Sequence, residues 1–551
     1  MFFTPWLRTL GNRLRFRTVR KDRKKSLQKR SGQPTAAAVE LLEDRTLLTM
    51  TVDAFTATTA TITGDTSDDA LVLSVSGGNL AHNFTGANST GTYDSATDFD
   101  PSAGIQTIAV PASFDPTTVI TVQLGDGADT LTIDDSSGAL QGRLNINFDG
   151  EGGAGDTLIG PDTGGLNFSL TASNSGNVGG VGVTDFSNVE NLSGGTGDDT
   201  FNVSAGAGVD SIDGNGGSDS VSVNAGGNTV DHAVTGPDDG TITVSGSPAL
   251  DYSSVETRTI TNAQAAGVTV SVAGGDGTAD GSDSYEVRRS GSDLQVLIDG
   301  TVATSVPFAD VAGITVAGTA DDDTLTVDFG GQAITSVIPS GELDFNGGAG
   351  NDALVLSGTP TANPAAITHT FDNASDGNID IDGSVINYTG LAPITDTLVT
   401  GTRTMVFNAS SETITISDDG EAGDDESRID SSAGEQLDFQ HPTNALVIRG
   451  DGGDDTIDFD GVDSQFPGTI ALTVDGEGGT DSVNFNTALS LAGLTVTGES
   501  IAVTDAITSG TGTLAAVSGI SFGGGSLDVS GGTVDLTATS GSITGTGDGS
   551  P

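Results

Sequence analysis

The chain of 551 residues has no cysteine, one tryptophan and four tyrosines. Without cysteine there is no disulfide framework, no thiolate zinc site and no thiol nucleophile. No apolar run approaches the ~18 residues that a membrane-spanning helix requires. Lysine ends at Lys29, and beyond residue 50 the only cations are Arg143, Arg258, Arg288, Arg289, Arg403, Arg428 and Arg449. No H-E-x-x-H, G-x-S-x-G or phosphate-loop pattern occurs, so metalloprotease, serine-hydrolase and nucleotide chemistry have no basis in the sequence. The four histidines, His82, His232, His369 and His441, are dispersed and read as surface residues. Catalytic residues are therefore expected to be none, and the chain is read as a non-enzyme.

Acid is what the chain has in excess. It carries 75 acidic against 19 basic side chains, for a net charge of −56. The split is uneven: residues 1–50 hold 12 basic and four acidic groups, whereas the rest holds seven arginines and 71 acids. A block this basic ahead of so acidic a body reads as a leader or arm. The body repels phosphate, so nucleic acid is not an expected partner.

From residue 51 onward, short runs of alternating apolar and Thr/Ser/Asp residues follow Gly/Asp/Asn clusters. Thr130-Leu131-Thr132-Ile133, Ser220-Val221-Ser222-Val223 and Thr456-Ile457-Asp458-Phe459 are examples. Period-two alternation bounded by turn residues marks half-buried strands. Valine and isoleucine together outnumber leucine about two to one, which favours strand over helix. Gly194 to Asn202 and Gly347 to Val355 fit the nonapeptide G-G-x-G-x-D-x-U-x throughout. Gly214 to Ser222, Gly450 to Asp458 and Gly476 to Asn484 fit with the second glycine replaced. The sixth-position aspartates recur at Asp69, Asp129, Asp156, Asp199, Asp219, Asp283, Asp323, Asp352, Asp455 and Asp481. Their spacing is never nine, so the units are not tandem nonapeptides, and several intervals lie near multiples of 20 to 22. A repeat of ~20–50 residues implies a solenoid. The expected fold is all-β, a repetitive parallel β-helix, with tandem β-sandwich domains as the alternative. The segment Phe186 to Leu192 also aligns with Phe308 to Ile314, each running on into its own turn.

Three local resemblances add to this. Leu42-Glu43-Asp44-Arg45-Thr46-Leu47-Leu48 resembles the LEPR-xLL motif near the N-termini of large exported planctomycete proteins, with Asp44 where that motif has proline. The nonapeptide resembles the calcium repeat of RTX (haemolysin-type) proteins. From Leu491 on, Gly/Ser/Thr alternating with single apolar residues is similar to filamentous-haemagglutinin-type repeats. The resulting layout is a basic leader at 1–50, β-repeat regions at 51–260, 261–395 and 396–490, and a Gly/Ser/Thr-rich region at 491–551.

The RTX resemblance implies Ca²⁺ as cofactor, held by Asp199 and Asp352, then Asp219, Asp455 and Asp481, with Asp198, Asp129 and Asp156 as further metal ligands. It also implies that Gly194, Gly195, Gly197, Gly347, Gly348 and Gly350 supply backbone with positive φ. The physical case is independent of family. Strands stack ~4.8 Å apart, so carboxylates repeated on successive coils repel one another. Dense hard oxygen donors select Ca²⁺. Aspartate before Thr or Ser also serves as a plain turn residue with no metal. Together these readings give an exported, extracellular or cell-surface structural or adhesive β-repeat protein. Its expected partners are surface or matrix components, polysaccharide included. A carbohydrate-binding or carbohydrate-active β-helix is the alternative.

Overall fold

In a computed structural model the chain divides into two units, Met1–Leu47 and Leu48–Pro551. The residues described are 51–53, 59–64, 66, 68–76, 79–82, 106–108, 119–136, 145–162, 164–179, 183–273, 282–339, 342–530 and 532–545. The basic leader and the whole LEDRTLL segment lie outside them.

The alternation read from the sequence is the alternation of burial. Val119–Gln123, Thr130–Asp134, Asn145–Asp149 and Ser220–Asn224 each place every second side chain in the core and the others at half exposure. Successive coils then stack like on like. Leu71, Leu131, Leu158, Leu192, Ile212 and Tyr252 are register partners along one parallel ladder. On another, Phe168 pairs with Phe201, and their rings stack with centroids 4.6 Å apart. Such a row buries one apolar column per ladder position, which is the main stabilising term of the fold.

Strand pairing sorts the body into two long ladders, here called sheet A and sheet B. Among the described residues they join only through Gly493–Val503 and Gly512–Phe522, long strands that each run through both. The chain alternates between the sheets, one strand in each, and their apolar sides merge in one continuous core. The stretches from Asp129 to Asp156 and from Asp455 to Asp481 are parallel neighbouring coils, Thr157 beside Thr130 and Ser482 beside Thr456, rather than sandwich hairpins. The ladders run on across residues 260, 395 and 490: Ser220–Asn224 pairs with Thr257–Thr261, Asp352–Ser357 with Leu391–Asp396, and Ala471–Asp475 with Gly493–Val503. Past Leu489 a third, short ladder forms from Leu489–Leu491, Ala506–Ser509 and Ser526–Val529. There the coil becomes three-sided, with partners 18 to 23 residues apart in sequence.

Parallel growth is interrupted by three-stranded meanders that lie within one sheet and run backwards. In sheet A, Asn167–Ala172 is laid beyond the growing edge, Ser175–Gly179 returns antiparallel to it, and Val183–Ser187 slots in beside Asn145–Asp149. The next coil, Thr200–Val203, then pairs with Asn167–Ala172. The same path is followed from Ser284 to Pro307 and from Thr413 to Gln440 in sheet A, and from Val230 to Ser253 and Ala366 to Thr389 in sheet B. The aligned segments Phe186 to Leu192 and Phe308 to Ile314 both lead from the end of a meander into sheet B.

The meanders from Val230 to Ser253 and from Ala366 to Thr389 are copies of each other. His232, Asp239-Gly240, Gly246-Ser247 and Tyr252 in the first correspond to His369, Asp376-Gly377, Gly383-Ser384 and Tyr388 in the second. In both, the tyrosine hydroxyl lies against the glycine, leaving no room for a Cβ. Both histidines are fully buried and His441 nearly so, which corrects their reading as surface residues. The side chain of His82 lies outside the described residues. His232 Nε2 lies 2.9 Å from Tyr252 Oη, and its Nδ1 lies 3.1 Å from Thr304 Oγ1. His369 Nε2 lies 3.0 Å from Asp396 Oδ2, which also takes Arg403 Nη1 as a donor.

Candidate functional site: rows of buried carboxylates at the turns

Each Gly-Asp turn carries the chain onto a strand, and the sixth-position aspartates stack there in rows. In the first row Asp129 Oδ1 accepts the backbone N–H of Asp69 at 2.7 Å, Asp156 Oδ1 that of Asp129 at 2.8 Å, and Glu190 Oε2 that of Asp156 at 3.1 Å. The second runs from Leu166 N–H to Asp199 Oδ1 (2.6 Å), from Asp199 N–H to Asp219 Oδ1 (2.7 Å), and from Asp219 N–H to Glu256. A third links Asp283, Asp323 and Asp352, and a fourth Glu412, Asp455, Asp481 and Glu499.

The residue just before points the other way. Asp68, Asp198, Asp322 and Asp454 are exposed, and each accepts an N–H from the following coil, that of Ala128, Ser218, Asn351 or Thr480. Successive turns are thus stapled twice, by an inner and an outer carboxylate of opposite direction. Bonds from N–H to an ionised carboxylate are among the stronger ones, about 1.5–3 kcal/mol each.

Of the expected metal ligands, Asp129 and Asp156 share the first row, Asp199 and Asp219 the second, and Asp455 and Asp481 the fourth. Asp352 stands in the third with Asp323. Asp198 lies outside the row, on the exposed layer. The expected register is present, but between successive carboxylates lies a backbone N–H. These seven row aspartates are at most 1% exposed. Asp199 Oδ2 also accepts Gly195 N–H at 2.7 Å, whereas Oδ2 of Asp129, Asp219, Asp352 and Asp455 is buried without a hydrogen bond. Burial pushes the carboxyls of Asp129, Asp219, Asp455 and Asp481 up to about 6, against the pull of the N–H bonds. It raises Asp156, Asp199, Asp323 and Asp352 in the same direction.

The glycines have a different role from the one the resemblance implies. Gly348 and Gly350 adopt positive φ, but Gly194, Gly195, Gly197 and Gly347 do not. At the first position the constraint is contact: the inner carboxylate folds back over that glycine, so a Cβ on Gly194 would collide with Asp199 Oδ2 and one on Gly347 would meet Asp352. The second position is left-handed in most copies, and Asn215, Asp451 and Glu477 occupy it with φ of 62–64° where glycine is replaced. Asparagine and aspartate tolerate this conformation best.

The glutamates that close three rows, Glu190, Glu256 and Glu499, escaped the sequence reading because no Gly-Asp turn precedes them. A signal existed: Ser187-Asn188-Val189-Glu190-Asn191 matches Ser253-Ser254-Val255-Glu256-Thr257, an acid again standing just before a strand.

Compared with known proteins, the chain matches no family model and no curated protein sequence. Among the described residues no helix is long and apolar enough to cross a membrane.

Proposed function

We propose that the chain is an extracellular or cell-surface structural and adhesive scaffold, a stiff solenoid whose Asp-rich turns take up Ca²⁺. The observation that carries this reading is the set of stacked inner carboxylates in which Asp129, Asp219, Asp352 and Asp455 each keep one buried oxygen without a hydrogen bond. A buried, unpaired carboxylate oxygen is costly unless protonated or met by a cation. Beyond residue 50 the seven arginines cannot neutralise 71 acids, so an added hard cation is the available source of positive charge. Two ladders of roughly twenty strands at ~4.8 Å extend on the order of 100 Å, a length suited to presenting a binding surface away from its anchorage.

The test is a calcium titration of the full chain followed by thermal melting and equilibrium dialysis. Millimolar Ca²⁺ is expected to raise the melting temperature, with bound ion recovered, and Asp219→Asn to reduce both. No bound ion and no shift would remove calcium from the proposal. Antibody labelling of intact cells tests the surface location, and labelling only after lysis would overturn it.

A further inference from the structure

A second acidic site differs from the carboxylate rows in carrying nitrogen. In the last sheet-A meander, Glu426–Ser431 pairs antiparallel with Leu437–Gln440. His441 follows directly, and its backbone N–H bonds the carbonyl of Asp425 at 2.9 Å. Asp463 reaches the same place from the connection between Thr456–Phe459 and Ala471–Asp475. One ligand atom each from Asp425, His441 and Asp463 lie within 4.8 Å of one another.

The histidine makes this more than a cluster of acids. His441 is 5% exposed, and its Nδ1 has no hydrogen-bond partner. Its Nε2 lies 2.9 Å from Ser427 Oγ. With the proton on Nε2, the Nδ1 lone pair is left buried and without a hydrogen-bond partner. A metal-binding imidazole is held in this way, one nitrogen toward the ion and the other fixed by a hydrogen bond. Asp463 is 1% exposed and fixed by N–H groups of Gly423 (2.5 Å, to Oδ2), Gln465 (2.7 Å, to Oδ1) and Ser464, yet a carboxylate's two oxygens together still keep acceptor capacity for an ion. Phe466 closes the site from one side, its ring centroid 5.0 Å from that of His441. Asp425 is exposed and gives an ion its way in. Asp419, Asp424 and Glu426 lie close by and add negative potential.

We infer that Asp425, His441 and Asp463 form a site for a first-row divalent transition ion of the zinc class. One imidazole with two carboxylates matches the mixed N/O donor sets of Zn²⁺ and its neighbours, whereas Ca²⁺ prefers six to eight oxygens. The ion would clip the mouth of the meander hairpin to the coil that follows it.

The experiment adds Co²⁺, then competing Zn²⁺, to the full chain in saturating Ca²⁺, reading visible absorbance and metal retained after dialysis. The expected result is one Co²⁺ per chain, displaced by Zn²⁺, with affinity weakened at least about tenfold in Asp425→Asn and lost in His441→Gln. Asp425 is on the surface, so its variant keeps the test valid if His441→Gln fails to fold. No retained Co²⁺, or equal retention in Asp425→Asn, overturns the inference. Because Ca²⁺ is present throughout, the result is independent of whether the carboxylate rows bind it.

Discussion

At Gly214 one methyl group decides whether two turns can stack. A Cβ there would overlap the carbonyl of Ser254 and lie 2.5 Å from Asp219 Oδ2. Gly214→Ala is therefore expected to cost about 3 kcal/mol or more, read by denaturant unfolding. Gly461, with nothing within 4 Å of its Cβ direction, should accept alanine within about 0.5 kcal/mol. Asp219 separates charge from hydrogen bonding. In chelator at pH 7, Asp219→Asn keeps an acceptor for Asp199 N–H and is expected to be neutral or stabilising. Asp219→Ala orphans that N–H and should cost about 1–3 kcal/mol. Equal losses in the two variants would mean that the charge itself holds the row together without metal. At this scale the sequence revealed which aspartates align, because Gly-Asp-strand is one repeated local pattern. It could not reveal what faces them, since an acceptor for a neighbouring N–H and a metal ligand both call for the same residue at the same place.

Strands were legible because a half-buried strand alternates with period two whatever its neighbours. The meanders were not, because a strand that turns back within its own sheet alternates just as one that crosses to the other. Burial of the histidines was hidden for a related reason: Val230 to Val234 alternates correctly only if His232 counts as a core residue. These buried polar groups carry weight at element scale. His369 and Arg403 lie on neighbouring strands of sheet B and Asp396 ends a sheet-A strand; all three are fully buried, and Arg403 also donates to Leu398 O at 2.7 Å. Burial alone would raise the Asp396 carboxyl, but Arg403, aided by His369, holds it down at about 2. Asp396→Asn leaves the guanidinium without its counter-charge and is expected to destabilise by about 3–5 kcal/mol. Phe201→Ala, which empties the stack on Phe168, should cost a similar 3–5 kcal/mol. Hydrogen exchange should place both losses in the coils next to the substitution, since a solenoid is stabilised mainly between nearest neighbours.

Over the whole molecule the carboxylate rows set an unusual pH response. Unfolded carboxyls titrate near ~4, whereas four of the row aspartates do so at about 6 when folded. Between these values the folded chain binds more protons than the unfolded one, so stability falls as pH rises through that window. Asp396 acts oppositely, contributing above its unfolded pKa and losing its effect as pH falls toward about 2. In chelator, the melting temperature is expected to decline from about pH 4 to 6 and then level off. Asp219→Asn should flatten part of that decline, and Ca²⁺ should raise melting more at pH 7 than at pH 5. A melting temperature that climbs steadily from pH 4 to 7 would contradict the raised carboxyls. The back-running meanders have a consequence for biogenesis. When Asn167–Ala172 emerges during synthesis it must settle ahead of a vacant gap, two strands wide, that Ser175–Gly179 and Val183–Ser187, arriving later, fill. The nascent chain therefore cannot zip up one coil at a time: it advances in instalments, and each pause leaves bare strand edges that a second molecule could invade.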